Sequence, residues 1–127
     1  MSAVLTEELP RSQGGLNGDV LRRVVAHVED HLGEHISLDQ LAALAGMSRF
    51  HFARQFRIST GRSPMRYVRQ TRIERASTIL RERNTTIARV AVSLGFADQS
   101  HFTRTFGRFI GISPQSFAER HRSRSAI

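Results

Sequence analysis

Ile87-Ala88-Arg89-Val90-Ala91, then Leu94-Gly95-Phe96, Asp98-Gln99-Ser100-His101-Phe102, Arg104, Phe106, Gly111, Ser113-Pro114 and Phe117, form the second of two versions of one pattern. The first reads Leu38, Leu41-Ala42, Ala45-Gly46-Met47, His51-Phe52, Arg54, Phe56, Gly61, Ser63-Pro64 and Tyr67. The order is shared, and the second version adds a single residue between Gly95-Phe96 and its aromatic pair. Each holds a short apolar-periodic helix, a Gly-containing break, and an amphipathic helix with an Arg among its Phe residues. That is a helix-turn-helix, whose second helix can enter a DNA major groove. The expected fold is all-α: two helix-turn-helix subdomains joined by a long linker helix, about seven helices in all.

Local signals mark the helix ends around this core. Ser37 with Gln40 three residues on reads as a capping box, opening a helix with Leu38, Leu41, Ala42 and Ala45 inward. Gly46 turns the chain, and Ser48 caps a first recognition helix with Phe52 and Phe56 on its core side. Ser63-Pro64 starts a linker helix running to about Arg83. Some twenty residues at about 1.5 Å each span roughly 30 Å, near the roughly 34 Å between successive major-groove faces on one side of B-DNA. Thr86 opens the second unit, Asp98 caps its recognition helix, and Phe102 and Phe106 repeat the core pair. Gly111 ends that helix, and Ser113-Pro114 starts a short closing helix with Phe117 inward. Ahead of both units, Asp19 reads as the N-cap of a supporting helix bearing Leu21, Val24, Val25, Val28 and Leu32, with Gly33 as its stop. The domain plan is therefore a flexible tail over 1–18, a DNA-binding domain over 19–121 (lobes 19–62 and 86–121, linker 63–83), and a tail over 122–127.

Charge selects the partner. The formal net charge is +8, and all nineteen Lys-plus-Arg positions are Arg. Residues 1–35 hold three Arg against six acids, and residues 36–127 hold sixteen against five, so −3 precedes +11. A polyanion is the expected partner of the duplicated region. Arginine can fork onto phosphate or the guanine edge, although Arg-heavy codon usage in a GC-rich genome is an equal explanation of the bias. With no Cys, disulfide frameworks, Cys-ligated zinc and thiol nucleophiles are excluded. Apolar runs are short and the N-terminal stretch is acidic, which leads to an expected cytoplasmic location and no membrane span. His27, His31 and His35 are spaced i, i+4, i+8 but lack a His-Glu-x-x-His motif, so neither metal nor cofactor is expected. No Ser, His and acid set suggests a triad, and the chain is not expected to be an enzyme.

From about Leu21 to Phe117 the chain resembles the DNA-binding domain of the AraC/XylS family of bacterial transcription regulators, most closely from Ile87 through Phe102 to Ser113-Pro114. Arg54 and Arg104 occupy equivalent places in the repeat and suit guanine O6 and N7, Gln99 suits adenine, and Thr103 suits a thymine methyl. The resemblance implies base contacts from Phe50, Ala53, Arg54, Gln99, Ser100, Thr103 and Arg104. Arg49, Arg57, Arg62 and Arg108 are expected on phosphates, where contacts position without specifying. Departures from the family pattern fall at Ala53, which lacks polar reach, and at Gly107 and Ala118, where basic residues often stand. The family also implies a promoter operator in double-stranded DNA as partner, activation, and contact with RNA polymerase. About 18 residues precede the first helix, so the chain resembles short members lacking an N-terminal sensor domain and acting as monomers on DNA. The alternatives are a non-specific or architectural nucleic-acid binder, and the DNA-binding fragment of a longer ligand-responsive regulator.

Overall fold

A computed structural model describes the backbone over residues 14–126 and the side chains over 14–122. Seven helices, and no strand, occur among the described residues: α1 Gly18–Asp30, α2 Leu38–Ala45, α3 Arg49–Thr60, α4 Pro64–Glu82, α5 Ile87–Ser93, α6 Gln99–Ile110 and α7 Pro114–Ala126. The class expected from the repeat is the class observed. No described helix is long and apolar enough to cross a membrane.

The caps are where local chemistry places them. The Ser37 hydroxyl accepts from the Gln40 N–H at 3.1 Å while the Gln40 side chain accepts from the Ser37 N–H at 2.9 Å, closing the capping box. Ser48, Thr86 and Asp98 accept from the N–H three residues on at 3.2, 3.1 and 2.8 Å. Helix α1 departs from its expected ends. Its N-cap is Asn17, whose side chain accepts from the Asp19 N–H at 2.7 Å, and Asp19 instead pairs with Arg22. It stops at Asp30 with His31 as C-cap, short of Gly33.

By packing, the chain falls into two units. One comprises residues up to His31 together with Ile36–Val68; the other comprises Leu32–His35 together with the chain from Arg69 onward. In the first, α1 packs on α2 and α2 on α3. Val24, Val28, Leu41, Phe52, Phe56 and Val68 are buried there. Leu16 belongs to this core as well: it is 3% exposed and its N–H donates to the Ser59 hydroxyl at 2.8 Å. Leu16 thus departs from the expected flexible tail over 1–18, of which residues 1–13 lie outside the described residues. In the second unit α5 packs on α6 and α6 on α7. Ile73, Ala76 and Leu80 of α4 are buried with Val90, Leu94, Phe96, Phe102, Phe106 and Ala118. Helix α7 continues to Ala126, so the stretch 122–126 expected as a tail is helical.

Each core rests on a pair of phenylalanines. Phe52 and Phe56 pack with tilted rings whose centroids are 5.6 Å apart, and Phe102 and Phe106 repeat that separation. Tyr67 meets Phe56 edge-on at 5.3 Å, and Phe117 meets Phe106 at 5.5 Å. Truncating one such ring to Ala costs about 3–5 kcal/mol. A domain of this size is stable by about 5–15 kcal/mol in total.

Candidate nucleic-acid interface

Two helices, one in each unit, combine a buried aromatic edge with an outward polar edge. On α3 the fully buried Phe52 and Phe56 fix the rotation about the helix axis. Phe50, Ala53, Arg54 and Arg57 then share the opposite edge at i, i+3, i+4 and i+7 spacing. Phe50 is 91% exposed, Arg54 and Arg57 are exposed, and Ala53 is half-buried. An aromatic ring left in water at the first turn of a helix contributes nothing to its own core, and it is available for a flat partner.

On α6 the buried residues are Phe102, Thr105 and Phe106. Gln99, Ser100, Arg104 and Arg108 are exposed, and Thr103 is half-buried at the rim of the same face. His101 is exposed and meets Phe96 edge-on at 5.3 Å, so its ring braces the turn ahead of the helix. Neither α3 nor α6 contains an acidic residue. Each outer edge is therefore uniformly neutral or cationic along its length, as a surface facing phosphates requires.

The arginines expected on phosphates differ in their surroundings. Arg57 and Arg108 are exposed in the last turns of α3 and α6. Arg62 is half-buried just past the C-cap Gly61, and its N–H donates to the Thr60 hydroxyl at 3.2 Å, whose single proton lies between the Phe56 and Arg62 carbonyls at 2.9 and 3.1 Å. Arg49 is tied back instead: its Nε lies 3.1 Å from Asp39 Oδ1 of α2, with both side chains largely exposed. No local spacing in the sequence signals that pair, because it joins the start of α3 to a neighbouring helix across the turn.

Of the departures noted in sequence, Ala118 changes meaning. It is 5% exposed, so it faces the interior of the second unit and takes no part in the outer surface. Gly107 is half-buried within α6, and a Cβ built there meets nothing within 4 Å.

The histidine stripe is broken by the end of α1. His27 and His31 stack at 4.1 Å, and His31 Nδ1 lies 2.7 Å from the His27 carbonyl oxygen. His35 lies beyond the helix, and no group of three metal-ligating side chains occurs among the described residues.

Comparisons with known proteins point to one kind of molecule. A family model described as a helix-turn-helix domain matches residues 41–120. The MmsAB operon regulatory protein of Pseudomonas aeruginosa is 33% identical over 113 residues, covering 89% of this chain and 36% of that protein. The HTH-type transcriptional activator RhaS of Escherichia fergusonii is 33% identical over 108 residues, covering 84% of this chain and 39% of that one. Among solved structures, the DNA-binding domain of AdpA in complex with a target DNA superposes with a TM-score of 0.78 at 34% identity, covering 82% of this chain and 94% of that chain. A regulator with an AraC-type DNA-binding domain from Chromobacterium violaceum gives 0.75 at 26% identity, covering 81% and 92%. The chain thus spans well under half the length of these curated relatives.

Proposed function

The chain belongs to the AraC/XylS family of bacterial transcription regulators, and we propose that it binds promoter DNA sequence-specifically by inserting α3 and α6 into successive major grooves. The observation that carries this reading is the repeated division of labour on those two helices. A buried Phe pair sets each helix, and the edge opposite it is free of acids and carries an arginine at the equivalent place, Arg54 or Arg104. In this reading Arg54 and Arg104 fork onto guanine, Gln99 onto adenine, Thr103 and Phe50 meet apolar base edges, and Ser100 and Ala53 allow close approach. Arg57, Arg62 and Arg108 hold phosphates, and Arg49 does so after exchanging Asp39 for the backbone.

The domain that does this is taken as residues 19–121 with Leu16 anchoring its N-terminal edge. It acts as an activator, binding as a monomer on chromosomal DNA in the cytoplasm and touching RNA polymerase. A second reading, that these residues are the DNA-binding part of a longer ligand-responsive regulator, is favoured by the 36% and 39% of the relatives' lengths that the chain spans. The DNA-binding chemistry is the same in both.

Selection of a duplex from a random library, followed by competition against random DNA at about 150 mM salt, tests the proposal. The expected result is a preferred site with two elements about one turn apart and a specificity ratio of at least about 1000. A ratio near unity would leave a non-specific or architectural binder in its place.

A further inference from the structure

Arg72 of α4 is only partly exposed, and it engages a loop nearly forty residues earlier in the chain. Its Nε donates to the Leu32 carbonyl at 3.0 Å and its Nη2 to the Glu34 carbonyl at 2.7 Å. Burial lowers the pKa of this guanidinium from its usual value, through desolvation. A planar fork spanning two carbonyls of one loop fixes that loop in direction as well as position, which a lysine cannot do.

The loop so held is pressed against the turn of the second helix-turn-helix. A Cβ at Gly33 would lie 2.7 Å from the Ser93 carbonyl oxygen. A Cβ at Gly95 would lie 2.8 Å from the Leu32 carbonyl oxygen and 3.0 Å from Arg72 Nη2. Glycine stands on both sides of the contact because the two backbones leave no room for a side chain. The internal repeat supplies the control. Gly46 holds the same place in the first turn and the same left-handed conformation, φ 68° against 80°, yet nothing lies within 4 Å of a Cβ there. The first turn needs glycine for its backbone angle alone, and the second needs it also for the approach of the loop. All of these residues, Leu32–His35, Arg72, Ser93 and Gly95, belong to the second unit.

We propose that Arg72 is a positioning residue for the second recognition helix: by clamping Leu32–His35 against the Ser93–Gly95 turn, it sets how α6 leaves that turn and so how the second element of a DNA site is engaged. The engagement of DNA rests on the function proposed above; the clamp itself does not.

The test uses the full chain with Arg72→Ala and Arg72→Lys, both checked for retained helical circular dichroism, Arg72→Lys being decisive if Arg72→Ala does not fold. Hydrogen exchange without DNA comes first, and faster exchange at Ser93–Gly95 and Gly33–His35 is expected in the variant. Unchanged exchange at both segments overturns the proposal whatever the protein binds. Hydroxyl-radical footprinting follows on the duplex selected by the wild-type chain, with Arg54→Ala and Arg104→Ala used to assign each element to its helix. The α6 element should lose protection and affinity should fall about tenfold, within the range of couplings between sites, while the α3 element stays protected. A wild-type footprint in the folded variants, or equal loss of both elements, overturns the proposal. Failure of the wild-type chain to select any duplex would count against the proposed function and leave the exchange result to decide the clamp.

Discussion

The proposed reading gives Arg104 a base and Arg57 a phosphate, the two kinds of contact that a DNA reader makes. Arg104 lies mid-face on α6, and Arg57 lies in the last turn of α3. Arg104→Ala should cost about 1–3 kcal/mol on the selected site and relax preference at one base position. Arg57→Ala should weaken specific and random DNA alike and lower the salt slope by roughly one. Titrations of both duplexes across a salt series check this, and equal losses from both variants on both DNAs would refute the division of roles. Gly107 gives a prediction on stability: with open space at its Cβ and no positive φ, Gly107→Ala should stabilise the chain by about 0.5–1 kcal/mol, read from denaturant unfolding. The outward residues were legible in sequence because the Phe pairs at i and i+4 fix what must lie opposite them. The Arg49–Asp39 pair and the inward turn of Ala118 were not, since each depends on a neighbouring helix that no local spacing encodes.

The helices themselves were legible to within a residue or two wherever a side chain caps its own backbone. Ser37, Ser48, Thr86 and Asp98 each act within three residues, so the signal is local. Ser48→Ala and Asp98→Ala should each destabilise by about 1 kcal/mol, measured by thermal or chemical unfolding. Asp98→Asn should retain most of that stability, because its amide oxygen can still accept from the His101 N–H. The ends of α1 differ from the local signals for a physical reason. Two cap-forming residues, Asn17 and Asp19, stand two positions apart at its start, and Asp19 pairs with Arg22. At its other end Gly33 looks like a stop, but its lack of a side chain answers to Ser93 far along the chain.

For the molecule as a whole, the excess of sixteen Arg over five acids in residues 36–127 sets the salt response. With the four arginines proposed on phosphates engaged, the expected slope of log affinity against log salt is about −4, steepened by any of the proposed base-contacting arginines that also meet phosphates. Titration of the selected duplex over a range of salt measures it, and a slope near zero would exclude the electrostatic footprint. The two-unit plan was visible in the repeat, but the assignment of Leu32–His35 to the second unit was not, because hydrophobic period carries no information about which turn a polar loop will brace. That assignment bears on engineering. A chimera made by a single crossover within α4 would graft the second reader onto a foreign seat, and a fragment trimmed to the matching residues 41–120 would discard the seat entirely. Swapping DNA preferences between relatives therefore calls for transplanting two separate pieces of chain together.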